Sequence, residues 1–171
     1  MAPLMIEIDP LRAAGPVLLG STREAAGEAL RAWGDPEPYA PYPGALPLDW
    51  RINGASGVDA VVHCGSTGVV QTIEIDLDFG VRPRAQALLL GQDMFSVPAE
   101  QMLAILRERF EVEEAGDGYT VPALSLGMGR RLSAEDFDEE GDGYSFDNFL
   151  LAGPGYYDPP PRRSAGGDHG S

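Results

Sequence analysis

The stretch Ile73-Glu74-Ile75-Asp76-Leu77-Asp78-Phe79 alternates apolar and acidic side chains without a break. Successive side chains of an extended strand point to opposite faces. Ile73, Ile75, Leu77 and Phe79 therefore share one face, and Glu74, Asp76 and Asp78 the other. Such a strand has to be covered on its apolar side. Val58 to Cys64 reads as a second strand just before it, and Gly65-Ser66-Thr67-Gly68 supplies the turn, so the two predict a hairpin.

Two helices are expected around this hairpin. Ser21 with Glu24 three residues on forms a capping-box pattern. It predicts a helix over 22–33 that buries Ala25, Ala26, Ala29, Leu30 and Trp33 on one face. Gly34 and Pro36 end it. Ser96 opens a second helix over 97–110, with Pro98 in its first turn and Ala99, Leu103, Leu106 and Phe110 as its apolar stripe. Between the first helix and the hairpin, residues 35–48 hold five prolines. They predict an extended loop with no regular element, which displays Tyr39 and Tyr42. A short first strand is expected at Met5–Ile8, further strands over 110–128, and a last one over 144–152.

The layout repeats weakly. Leu18-Leu19-Gly20 and Leu89-Leu90-Gly91 each precede a Ser-capped helix. The expected fold is α+β: two helix–hairpin units forming an antiparallel sheet with helices on one face. It makes one domain over 1–157, with a pseudo-repeat of 5–80 and 85–153. The tail 158–171 has almost no apolar residue and is expected to be disordered.

The segments GPVLLGSTREAAGEALRAWGDPEPY, FEVEEAGDGYTVPALSLGMGRR and FLLAGPGYYD resemble a group of uncharacterised small acidic actinobacterial proteins over about residues 6–157. Some of that group look like immunity or inhibitor proteins of toxin–antitoxin style loci. The helix–hairpin layout is also similar to tandem-repeat inhibitors of the β-lactamase-inhibitor type. The resemblance implies a protein-binding inhibitor and no catalytic residue.

Charge narrows the partner. There are 27 Asp and Glu against 12 Lys and Arg, a formal net charge of -15. That field repels nucleic acid and anionic membranes, and attracts basic proteins and cations. The lone Cys64 excludes an intrachain disulfide. The N-terminal residues show no signal-peptide pattern, and no apolar run approaches the ~20 residues of a membrane span. A cytoplasmic protein is expected.

Candidate chemistry is sparse. Glu74, Asp76 and Asp78 can meet a row of Lys or Arg on a partner, or simply face water. Residues 136–147 partly match a calcium loop, with Asp136, Asp138, Glu140, Gly141 and Asp147 at positions 1, 3, 5, 6 and 12. Asp147 is short for the usual bidentate ligand, so this is a weak metal candidate. His63 and Cys64 are neighbours, but on a strand they point to opposite faces, which opposes a nucleophile pair. Two histidines and one cysteine leave no zinc set of the usual type. No phosphate-binding glycine loop is present, and no cofactor is expected.

The sequence thus points to an immunity-type inhibitor, not an enzyme, that neutralises a basic partner, such as a toxin. Its expected contacts are Glu74, Asp76, Asp78, Asp136, Asp138, Glu139, Glu140, Asp142, Tyr39 and Tyr42. A calcium-binding module and a structural subunit of a larger assembly are the alternatives.

Overall fold

A computed structural model describes residues 4–53, 57–77, 85–116, 118–130 and 145–158. The elements run β1 (Leu4–Asp9), β2 (Ala13–Ala14), β3 (Val17–Leu18), α1 (Arg23–Leu30), β4 (Glu37–Tyr39), β5 (Asp49–Ile52), β6 (Val58–His63) and β7 (Thr72–Leu77). They continue with β8 (Ala85–Leu89), β9 (Gln92–Asp93), α2 (Ala99–Arg107), β10 (Glu113–Ala115), β11 (Gly118–Val121), β12 (Leu126–Gly129) and β13 (Asn148–Ala152).

This is a mostly β protein, which corrects the expected α+β arrangement of helix–hairpin units. The thirteen described strands form two sheets, ordered β3-β2-β1-β8-β9 and β10-β11-β12-β13-β7-β6-β5-β4. The two α-helices hold only 8 and 9 residues. Each helix is followed by a four-strand meander rather than a hairpin, and the two meanders join through β7 and β13. The first strand leaves this sheet altogether. β1 pairs in parallel with β8, Leu4 opposite Ala85 and Ile6 opposite Ala87.

The alternating strand behaves as its pattern requires. Ile73 and Ile75 are fully buried on the inner face, while Glu74 and Asp76 are half-exposed on the outer face. The inner face merges with the apolar sides of β1, β8 and both helices into one core, with Phe95 against Phe149 at 6.0 Å between ring centroids. Truncating a buried Ile or Leu here to Ala is expected to cost about 2–5 kcal/mol.

Both helix starts differ from expectation. Ser21 lies beside the isolated bridge of Thr22 with Val69; its carbonyl accepts from the Val70 amide while the Gly20 amide donates to the Val70 carbonyl. The cap therefore falls one residue later: Thr22 Oγ1 accepts from the Ala25 amide at 3.1 Å, and Glu24 forms no capping box. α1 is finished by Leu30, where i to i−3 bonds tighten the chain through Trp33. In α2 the Ser96 hydroxyl donates to Asp93 instead of capping, and the helix begins after Pro98.

The proline-rich stretch also departs from expectation in one place. Glu37–Tyr39 pairs with β5 as the edge of the large sheet. Pro38 is compatible with an edge, where one side of the strand needs no donor. At the other edge, β10 exposes Glu113 and Glu114, and charge there discourages pairing with another chain.

Candidate functional site

The outer face of the large sheet is built by register. Asp59 on β6 lies opposite Asp76 on β7, and Asp76 opposite Asn148 on β13. One row over, Arg51, Val61, Glu74, Leu150 and Gly127 follow each other across β5, β6, β7, β13 and β12. All of these but Gly127 are half-exposed, so the described face is left partly open to water.

The best-defined constellation on it is centred on His63. Its Nδ1 lies 3.1 Å from Asp49 Oδ2, and its Nε2 lies 3.0 Å from Glu74 Oε2. Asp49 is fixed from behind: its Oδ1 accepts the backbone amides of Cys64 at 2.8 Å and Gly65 at 2.9 Å. Its side chain is only 5% exposed, whereas that of Glu74 is 41% exposed. The chain of contacts thus runs from a buried, anchored carboxylate, through the imidazole, to a surface carboxylate.

The charges respond accordingly. The hydrogen bond to Glu74 is the largest influence on His63; burial opposes it and Asp49 adds to it, and the balance raises the His63 pKa above 6.5. Burial pushes the Asp49 carboxyl up, but the Gly65 and Cys64 amides and His63 together hold it below 3.8. Burial and the Asp49 charge push the Cys64 thiol up. That thiol is fully buried on the inner side. The imidazole and thiol therefore lie on opposite sides of the sheet, and a buried thiol with a raised pKa is a poor nucleophile.

The other half of the outer face is different in kind. Over β11–β13 an open trough of about 590 Å³ is lined by Gly118, Gly127, Gly129, Leu150 and Tyr157 among others. A side chain at Gly127 would meet the Tyr157 hydroxyl, and one at Gly118 would meet the Met128 carbonyl oxygen. Burial, then the neighbouring Tyr156 and Glu74, push the Tyr157 phenol up to about 12.

Of the residues expected from sequence, Glu74 and Asp76 come together on this face. Tyr39 lies at its edge opposite Asp49, with the Arg51 guanidinium 5.6 Å from its ring centroid. Tyr42 is 66% exposed in the loop before β5. Asp78, Asp136, Asp138, Glu139, Glu140 and Asp142 lie outside the described residues. Asp147 of the calcium candidate is 7% exposed, and its Oδ1 accepts from the Asn148 side-chain Nδ2 at 2.6 Å; a strand follows it, where a calcium-binding loop of this type would enter a helix. Among the described residues, no cluster of three or more His, Cys, Asp or Glu is arranged to hold a metal ion, and no helix is long and apolar enough to cross a membrane.

Asp49 was missed in the sequence because Asp49–Ile52 follows the prolines directly. Asp49 and Ile52 are buried while Trp50 and Arg51 are half-buried, so four residues carry no clean alternation. His63 shares the outer side of β6 with Asp59, and its partners sit on the two flanking strands.

Compared with protein-family models, curated proteins and solved structures, the chain matches none.

Proposed function

We propose that this protein binds a basic partner protein through the outer face of β5–β7, as an immunity-type inhibitor that covers the partner's cationic surface. The observation that carries the reading is the register of Asp59, Asp76 and Glu74, which puts three half-exposed carboxylates on the outer face of β6 and β7. Half-exposed carboxylates gathered on one sheet face attract a partner's Lys or Arg row. The overall charge of -15 steers such a partner from a distance. Tyr42, exposed near the same edge of the sheet, is a candidate aromatic anchor. A cytoplasmic setting fits this reading.

Affinity capture with the wild-type chain and with an Asp59→Asn/Asp76→Asn variant tests it, at low and high salt. The reading expects a basic protein that salt releases and the variant does not hold. An acidic partner, or capture indifferent to both salt and the two substitutions, contradicts it.

A further inference from the structure

The two carboxylates that hold His63 are not equivalent, and the difference makes His63 a candidate for control of the binding face. Ionised carboxylates only accept hydrogen bonds. An imidazole within 3.0–3.1 Å of one on each side satisfies both contacts only when both ring nitrogens carry protons. When the ring loses a proton, one nitrogen becomes an acceptor and faces a carboxylate oxygen with no hydrogen between them. That contact has to open.

Anchoring decides which one opens. Asp49 is buried and gripped by two backbone amides. Moving it would leave both amides without their acceptor, and a polar group buried without a partner is costly. Glu74 reaches water and has a flexible side chain. The neutral ring therefore keeps its proton on Nδ1, toward Asp49, and repels Glu74 at Nε2.

We propose that His63 is a proton-operated latch for Glu74: protonated, it bridges Asp49 and Glu74 and holds the Glu74 carboxylate on the sheet; neutral, it retains Asp49 and frees Glu74 for a cationic partner. Release removes one positive charge from the outer face and uncovers one carboxylate. Among the described residues, the charged groups around this assembly include Asp49 and Arg51 from β5, Asp59 from β6 itself, and Glu74 and Asp76 from β7. Tyr157 approaches Glu74 from the chain segment after β13, and Tyr39 flanks Asp49 from β4. Arg51 lies over Tyr39, and His63 is the group that sits between the two carboxylates and titrates near neutral pH. The latch stands on its own geometry; its effect on binding rests on the proposed partner surface.

The test is an NMR pH titration of the full chain. The His63 imidazole is assigned by its absence in His63→Gln, and the Glu74 and Asp49 carboxyl carbons are followed alongside. The latch expects a His63 midpoint above 6.5, a Glu74 carboxyl signal that moves with that midpoint, and an Asp49 signal that moves much less. Glu74→Gln, a surface change that leaves the core intact, should lower the His63 midpoint. A His63 midpoint unaffected by Glu74→Gln, or an Asp49 signal that moves in place of Glu74, overturns the latch. In a second arm a lysine-rich peptide is the probe. Its affinity should rise severalfold as pH rises through the midpoint, and Glu74→Gln should flatten that rise. A correct titration with no peptide binding keeps the latch and removes the partner surface. Peptide binding whose pH dependence is the same in Glu74→Gln as in wild type removes the latch and keeps the surface.

Discussion

The two meanders of the large sheet share a topology and differ in what they place on the outer face. The β4–β7 half carries Glu37, Arg51, Asp59, His63, Glu74 and Asp76, side chains held in hydrogen bonds or facing water. The β10–β13 half replaces side chains with glycine at 118, 127 and 129, and fills part of the space with Tyr157. One half is therefore specified by charge pairing, the other by close approach of backbone. A substitution that disturbs electrostatics should register in the first and pass unnoticed in the second, and a substitution that adds volume should do the reverse.

The largest effect is expected at Asp49. Asp49→Ala leaves the Cys64 and Gly65 amides without their acceptor and His63 without its anchor. The loss should be about 2–4 kcal/mol in urea unfolding, and Asp49→Asn, which keeps one acceptor oxygen, should lose clearly less. Equal losses would mean that the amides do not depend on this side chain.

Next comes Gly118 in the other half. An added Cβ meets the Met128 carbonyl oxygen, which is backbone and cannot swing aside. Gly118→Ala should cost about 1–3 kcal/mol. Gly127→Ala meets only the end of Tyr157, so its cost should be smaller and largely recovered in a Gly127→Ala/Tyr157→Phe double variant. Additive losses in that pair would show that the trough does not depend on the tyrosine.

The pH dependence of stability separates the halves further. The raised His63 pKa contributes stability that is fully present below 6.5 and lost as pH rises through the folded value. The lowered Asp49 pKa contributes stability present above 3.8 and lost as pH falls through its folded value. Wild type should thus weaken on both sides of an acidic-to-neutral window. His63→Gln should remove the upper limb and keep the lower one, which chemical denaturation across pH would read. Glu74→Gln should change stability least, by less than about 1 kcal/mol, because its contact is partly exposed.

The same contrast explains what the sequence made legible. The β6–β7 hairpin was readable because six-residue strands with alternating burial leave a clear period. Both helices were readable from their apolar stripes, although Ser21 and Ser96 misplaced their starts because neighbouring strand contacts and Asp93 claim those hydroxyls or backbones. Strands of two or three residues such as β2, β3 and β4 are too short to show any period. Reading 35–48 as a loop and giving β2 and β3 no element makes a mostly β chain look α+β. The parallel pairing of β1 with β8 joins residues about 80 positions apart and has no local signature. Within the site, the outward set of Glu74 and Asp76 was visible, whereas the Asp49–His63–Glu74 connection exists only once three strands are side by side.

The central claim is that the charged half, and not acidity in general, is the contact surface. Backbone NMR mapping with a lysine-rich peptide tests it most directly. The account predicts shifts concentrated on β5, β6 and β7 around Asp59, Glu74 and Asp76, with β11 and β12 unchanged. Shifts spread evenly over the exposed carboxylates elsewhere, such as Glu28, Glu100, Glu113 and Glu114, would contradict it.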